Sequence, residues 1–345
     1  MKNLARAINE SQGLQVVWYL CRNVFKTIEY LFCNLVRPTK SLCFYYQVLR
    51  KSSDSDLPDN LLRSDLPVRI FTAEPSAKHP LKLFHEMLAD VKAGRELAWR
   101  LFVRDLKSQY RQSYFGYLWA FAPPLIAATS FIFLQSQGIT KIEGTLIPYP
   151  AFAMIGTMLW QIFVDAVMSP ISSVNSARPM LAKLNFPREA LLVSGIYMVG
   201  FNVSIRLVLL FAVMIAWGIV PGPTIIGFPL ALTGLVAIGF SIGLAVLPVG
   251  LLYGDINRGL PMLLQFGMFL TPVIYPIRSS GLAGALSVVN PVAPLLSMAR
   301  DALTGQPLTQ LIAITIAMCI GVIGLFLGFA VYRIIMPRVI ERMGG

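Results

Sequence analysis

Asp165 and Arg206 are the residues whose type and setting most invite a chemical role, because each stands in a long apolar run. An ionisable side chain in such a run is costly unless it is paired or put to use. Arg206 could meet an anionic group of a substrate, or it could pair with Asp165 as internal glue. Asp165, close to one end of its run, could also reach the interface by itself. Two isolated charges fall short of the Asp/Glu/His chain that a proton-coupled transporter strings through its spans. Catalytic signatures are absent: the sequence has no G-x-x-x-x-G-K-[ST] loop to cradle nucleotide phosphates, no G-x-S-x-G elbow and no H-E-x-x-H pair. The cysteines Cys21, Cys33, Cys43 and Cys319 form no CxxC pair, and His79 and His85 are too few for a metal centre, so no bound metal is expected. No cleavable signal pattern follows the first apolar run, Leu14 to Leu20.

The elements that hold such residues follow from composition. Of 345 residues, 56% are hydrophobic and 13% charged, against about 25% charged in ordinary domains. Uncharged stretches run over Gln112–Thr140, Leu207–Gly254, Gly259–Ile277, Ser279–Ala299 and Ala302–Tyr332. Each reaches the roughly 18 residues needed to cross a bilayer, which makes this an all-α polytopic membrane protein. A net charge of +12 then reflects Lys and Arg gathered on cytoplasmic loops beside anionic lipid, and no nucleic-acid partner is expected.

Residues 1–66 read as an extension, an amphipathic helix around Leu14–Val36 followed by a Ser/Asp/Pro-rich linker. Residues 67–116 read as cytoplasmic and interfacial helices. Between Arg95 and Tyr114 the polar positions Glu96, Arg100, Arg104, Lys107 and Arg111 alternate at helical spacing with Leu97, Leu101, Phe102, Leu106 and Tyr110. Such a helix is expected to lie in the headgroup plane, its basic side chains towards the cytosol, before the chain turns into the bilayer near Gly116. Spans are expected at about 117–135, 149–169, 191–217, 225–252, 260–275 and 311–332. They form a six-span domain over 117–335, with a cytoplasmic tail at 336–345. "YGDINRG", with Asp255 and Arg258, reads as a short second inner loop.

Ser279–Ala299 is long and uncharged, but Gly281, Gly284, Pro291 and Pro294 break helices. As one more span it would put the basic tail outside. As two short half-helices that dip in and return, it leaves six spans and both termini in the cytosol. The six-span count places twelve Lys/Arg after residue 94 on the inner side and three, Lys141, Arg278 and Arg300, on the outer, as the positive-inside rule favours. Aromatic residues near span ends, among them Trp160, Phe266, Phe269 and Tyr275, fit an interfacial belt or a conduit on which sugar rings slide.

Four motifs occur in order: "LAWRLFVRDLKSQYRQSYFGYLWAFAPPL", "NFPREALLVSG", "GDINRGLPMLLQFGMFLTPVIYP" and "NPVAPLLSMARDALTG". Together they resemble the membrane subunit of bacterial ABC exporters for cell-surface polysaccharides (O-antigen, capsule, teichoic acid), over about residues 68–345. The resemblance implies a homodimer in the bacterial inner membrane, driven by two copies of a separate cytoplasmic ATPase that binds ATP and Mg; this chain itself would hold no cofactor. The cargo would be a lipid-linked polysaccharide. Arg178, Lys183, Phe186, Pro187, Arg188 and Glu189 would form the segment that docks on the ATPase. Arg100, Arg104, Lys107 and Arg111 would flank that contact, and the half-helices after Tyr275 would shape the exit. Alternatives are an exporter of the same build for a lipid or drug, or a membrane glycosyltransferase or acyltransferase. The last would need acidic or His catalytic residues at the membrane face, where only Asp255 and Asp301 stand.

Overall fold

In the computed structural model the described residues are 91–110, 126, 129–130, 133, 147–181, 188–275, 289–308 and 310–344. The expected extension 1–66, nearly all of the first span at 117–135, and the loop residues 182–187 lie outside them. All described residues belong to one unit, Ala73–Gly345.

Apolar runs with few helix breakers become helices, and no strand occurs among the described residues. The helices are α1 (Arg95–Tyr110), α2 (Tyr149–Ser176), α3 (Arg178–Leu181), α4 (Glu189–Ala216), α5 (Gly227–Leu252, entered through a 3-10 turn at Pro223–Ile226), α6 (Gly254–Leu270), α7 (Val292–Thr304) and α8 (Leu311–Gly344). Four apolar segments are long enough to cross a membrane: Tyr149–Ser176, Glu189–Ala216, Pro223–Leu252 and Leu311–Met336. The chain is therefore a multi-pass membrane protein.

The helices stack in the order α8, α5, α2, α4, α1, each against the next, with α7 against α5 and α6 across α2 and α5. Glycine makes the closest of these approaches possible. A Cβ on Gly243 would lie 2.3 Å from the Val167 carbonyl oxygen, and one on Gly239 would lie 2.8 Å from that of Phe163, both backbone atoms of α2. On the other face of α5, Gly324 and Gly328 of α8 sit over Ser241 and Leu244. Without water to drive association, close backbone packing of this kind is what holds membrane helices together. Gly243→Ala is therefore expected to cost about 1–3 kcal/mol, read as a lower melting temperature of the detergent-solubilised protein. Gly200→Ala, where an added Cβ meets nothing within 4 Å, should leave the melting temperature unchanged.

Successive helices run in alternating directions, so the bundle has two ends. Residues of α1, of the end of α2 and of α3 share one buried cluster with the end of α5 and with Tyr332, Met336 and Val339 of α8. The opposite end holds α7 and the starts of α2, α5 and α8. The end of α8 and α1 thus lie at the same end of the bundle. Helix α7 has 13 residues, about 20 Å of helix against a hydrocarbon core of about 30 Å, and is too short to cross.

One expectation is corrected. "YGDINRG" forms no loop: Tyr253, with extended φ −120° and ψ 111°, is the single residue between α5 and α6. Asp255 and Arg258 lie in the first turns of α6, where a carboxylate suits the helix N-terminus. Helix α6 accordingly starts six residues before the expected span at 260–275 and ends at Leu270. The apolar face of α1 packs on protein. Ala98, Leu101, Phe102 and Leu106 are buried, and Trp99 and Phe102 interlock with Tyr197 of α4 at ring-centroid distances of 5.7 and 6.1 Å. Protein competes for an amphipathic face as well as lipid does, and helical periodicity alone does not say which wins.

Candidate functional site

Among the described residues expected to couple to a partner, Arg178, Arg188 and Glu189 stand at a polar corner at the α1 end. Helix α2 stops at Ser176, Ala177 turns the chain, and α3 begins with Arg178 and Pro179, proline being tolerated in a first helical turn. The Ser176 hydroxyl donates to Asp105 Oδ2 of α1 at 3.0 Å. Asp105 Oδ1 accepts from Arg104 Nε at 2.8 Å, and Arg104 also reaches the Met180 sulfur at 2.7 Å. Helix α1 is thereby tied to the turn that leads into the loop.

The same turn is tied to α5 and α6. The Arg178 guanidinium donates to the Leu251 carbonyl, one of the last carbonyls of α5 that no helical N–H can reach. Asn175 donates to Asn257 Oδ1 at 3.3 Å, and Asn257 donates to the Gly250 carbonyl at 3.1 Å. On the far side of the loop, the buried Tyr332 of α8 donates its hydroxyl to the Arg188 carbonyl at 3.0 Å. Glu189, in the first turn of α4, is buried. A load applied between Arg178 and Arg188 therefore pulls on α1, α2, α5, α6, α4 and α8 together.

Of the expected coupling residues, Arg178 turns its side chain inward, Arg188 is held through its backbone carbonyl and Glu189 is buried, while Lys183, Phe186 and Pro187 lie outside the described residues. Arg100 and Lys107 are exposed on α1, Arg100 forming an exposed i,i+4 ion pair with Glu96 at 2.5 Å. Arg111 lies outside the described residues.

The membrane charges find each other. Arg206 of α4 forms an ion pair with Asp165 of α2, their side chains 17% and 20% exposed. The pairing alternative raised by the sequence is thus the observed one. Phe266 and Phe269 are 68% and 54% exposed on α6, beside Met262 at 66%, and Gln265 on the same side is also exposed. Tyr275 is only partly exposed and donates its hydroxyl to the Phe269 carbonyl at 3.1 Å. Trp160 is buried, with Gly267 of α6 packed close to its ring, and belongs to no exposed belt. Among the described residues no group of three or more His, Cys, Asp or Glu is placed to hold a metal ion.

No family model matches the chain. An O-antigen export system permease protein of Myxococcus xanthus is 27% identical over 207 residues, covering 59% of this chain and 77% of that protein. A Klebsiella pneumoniae protein of the same description is 26% identical over 197 residues, 56% of this chain and 74% of its own length. The polysialic acid transport protein of Escherichia coli is 22% identical over 244 residues, 68% and 91% respectively. The chain is related to polysaccharide-export permeases.

Sequence reasoning missed four anchoring residues at these ends: Asp105, Asn175, Asn257 and Arg300. Arg300 was counted among three cations of outer loops. It is instead 6% exposed, and burial lowers its pKa to about 10, which still leaves it charged near neutral pH. Burial pushes the neighbouring Asp301 carboxyl up, partly offset by Arg300. No local signal singled Arg300 out, because Arg278 stands much closer to "TPVIYP" along the chain.

Proposed function

We propose that this chain is the channel-forming membrane subunit of an ATP-driven exporter that moves lipid-linked polysaccharide across the bacterial inner membrane. The observation that carries the reading is its similarity to O-antigen and polysialic acid export permeases over most of their lengths. It is a transport subunit and not an enzyme. ATP and Mg would be bound by a separate cytoplasmic ATPase, two copies of which would dock on a homodimer of this chain, near residues 178–188. The polar corner supports that docking place, because Arg178 and Arg188, which flank residues 182–187, are joined there to several helices.

Six spans with both termini in the cytosol are the topology this reading requires. In its favour, the end of α8 and α1 lie at the same end of the bundle and both carry basic residues, as an inner face should. The exposed side of α6, with Arg258, Met262, Gln265, Phe266 and Phe269, is the surface we assign to the conduit. Aromatic rings there can stack on the apolar faces of sugars, and Gln265 can exchange hydrogen bonds with hydroxyls. Arg206, held by Asp165, is withdrawn from the substrate path.

The test is reconstitution of the chain with a polysaccharide-export ATPase of the same organism, in cells that make a lipid-linked polysaccharide but cannot export it. Surface polysaccharide should appear only when both proteins are present. Export by the chain alone, or nucleotide hydrolysis by the purified chain, would end the reading.

A further inference from the structure

The Arg300 guanidinium lies inside the α7 end of the bundle with no carboxylate within ion-pair distance among the described residues. Its Nη2 donates to the Val273 carbonyl at 2.6 Å, and Nη1 and Nη2 approach the Pro272 carbonyl at 3.5 and 3.4 Å. Its Cζ stands 3.8 Å from the centre of the Phe152 ring of α2. Pro272 and Val273 follow directly on α6, at a point where the backbone has left the helix and its carbonyls need donors. A planar fork of five N–H groups can serve two adjacent carbonyls while its face rests on an aromatic ring, and an ammonium cannot do both. The same turn is held a second time: Asn290, just before α7, donates to Thr271 Oγ1 at 2.8 Å. Room for the arrangement comes from Gly156, where a Cβ would lie 2.1 Å from the Val273 oxygen and 2.5 Å from Arg300 Nη2.

We propose that Arg300 is a positioning residue for export: its guanidinium pins the turn after α6 to α7 and α2, so that the end of the conduit-lining helix is held in register with the rest of the bundle. The role in export rests on the transport reading above; the pin itself does not. A buried cation that gives its hydrogen bonds to backbone carbonyls is an arrangement that only a fixed turn can use, because an unpinned turn would leave both the charge and the carbonyls unmatched.

Val273, fully buried, is replaced in a Val273→Cys reporter and exposed to a membrane-impermeant maleimide, in intact cells and in inverted vesicles. Labelling is normalised to the monodisperse protein recovered. With Arg300 present, the reporter thiol should be protected. With Arg300→Met or Gly156→Ala added, it should label at least about fivefold faster from one side, and export per ATP hydrolysed should fall about tenfold, the scale set by leaving a buried hydrogen-bonding group unmatched. If Arg300→Met accumulates too poorly, Arg300→Lys serves. It keeps the charge, loses the fork, and should give intermediate labelling and intermediate export. Unchanged labelling in all of these variants overturns the pin. Faster labelling with unchanged export per ATP overturns its part in transport. If the unsubstituted chain exports no polysaccharide at all, the transport reading has failed, and the labelling result still decides the pin.

Discussion

Asp165→Ala is expected to remove most of the folded chain from the membrane, and the double variant Asp165→Ala with Arg206→Leu to restore much of it. The single change leaves a guanidinium among apolar helices with its partner gone. A lone cation there costs about 2.5–3.5 kcal/mol on insertion scales, enough to shift a marginal folding equilibrium by roughly two powers of ten. The double change removes charge from both sides of the α2–α4 contact. Replacing a buried pair by apolar groups is often neutral. Arg206→Ala should be milder than Asp165→Ala, because a stranded carboxyl group can take up a proton, whereas a guanidinium cannot shed one. The measurement is the monodisperse yield and melting temperature of these variants and the unsubstituted chain in detergent. If the double variant is as poor as the worse single one, the pair is not acting as internal glue, and Arg206 returns as a group that meets substrate.

Arg178→Ala is expected to separate ATP hydrolysis from export. Arg178 is turned inward to the Leu251 carbonyl, beside the chain Asn175–Asn257–Gly250, so its loss should leave the outer surface of the loop intact. The partner ATPase should still bind and hydrolyse ATP. The pull on the α5–α6 junction should slacken, and export per ATP should fall about tenfold, the effect of losing one charge-assisted hydrogen bond to a buried carbonyl. Phe186→Asp should behave differently, since a charge placed on an apolar docking residue prevents association. Co-purification with the ATPase should then be lost along with export. Normal export per ATP in Arg178→Ala would remove the corner from the transmission path. Normal co-purification in Phe186→Asp would move the docking surface elsewhere.

The bundle was largely visible in the sequence. Apolar runs of bilayer length located the starts of α2, α4, α5 and α8 within two residues, because the cost of burying charge in lipid is paid residue by residue along the chain. The amphipathic stripe of α1 was equally plain from its spacing. What lay out of reach was the partner of each face and charge. The α5–α6 junction looked like a loop because "YGDINRG" is polar and glycine-rich, yet one extended residue suffices to reverse the chain there.

The order of the four motifs also carried the resemblance to export permeases, which the named relatives bear out. The sequence by itself therefore determined a multi-pass helical membrane protein that resembles those permeases, since hydropathy and motif order are properties of single segments. Only the tertiary structure decided that Arg206 answers Asp165, that the apolar face of α1 rests on α4, and that Arg178 and Arg300 point inward to carbonyls at opposite ends of the bundle. Those outcomes depend on which atoms meet across helices far apart in the chain, and short-range electrostatics and hydrogen bonding act on such meetings alone.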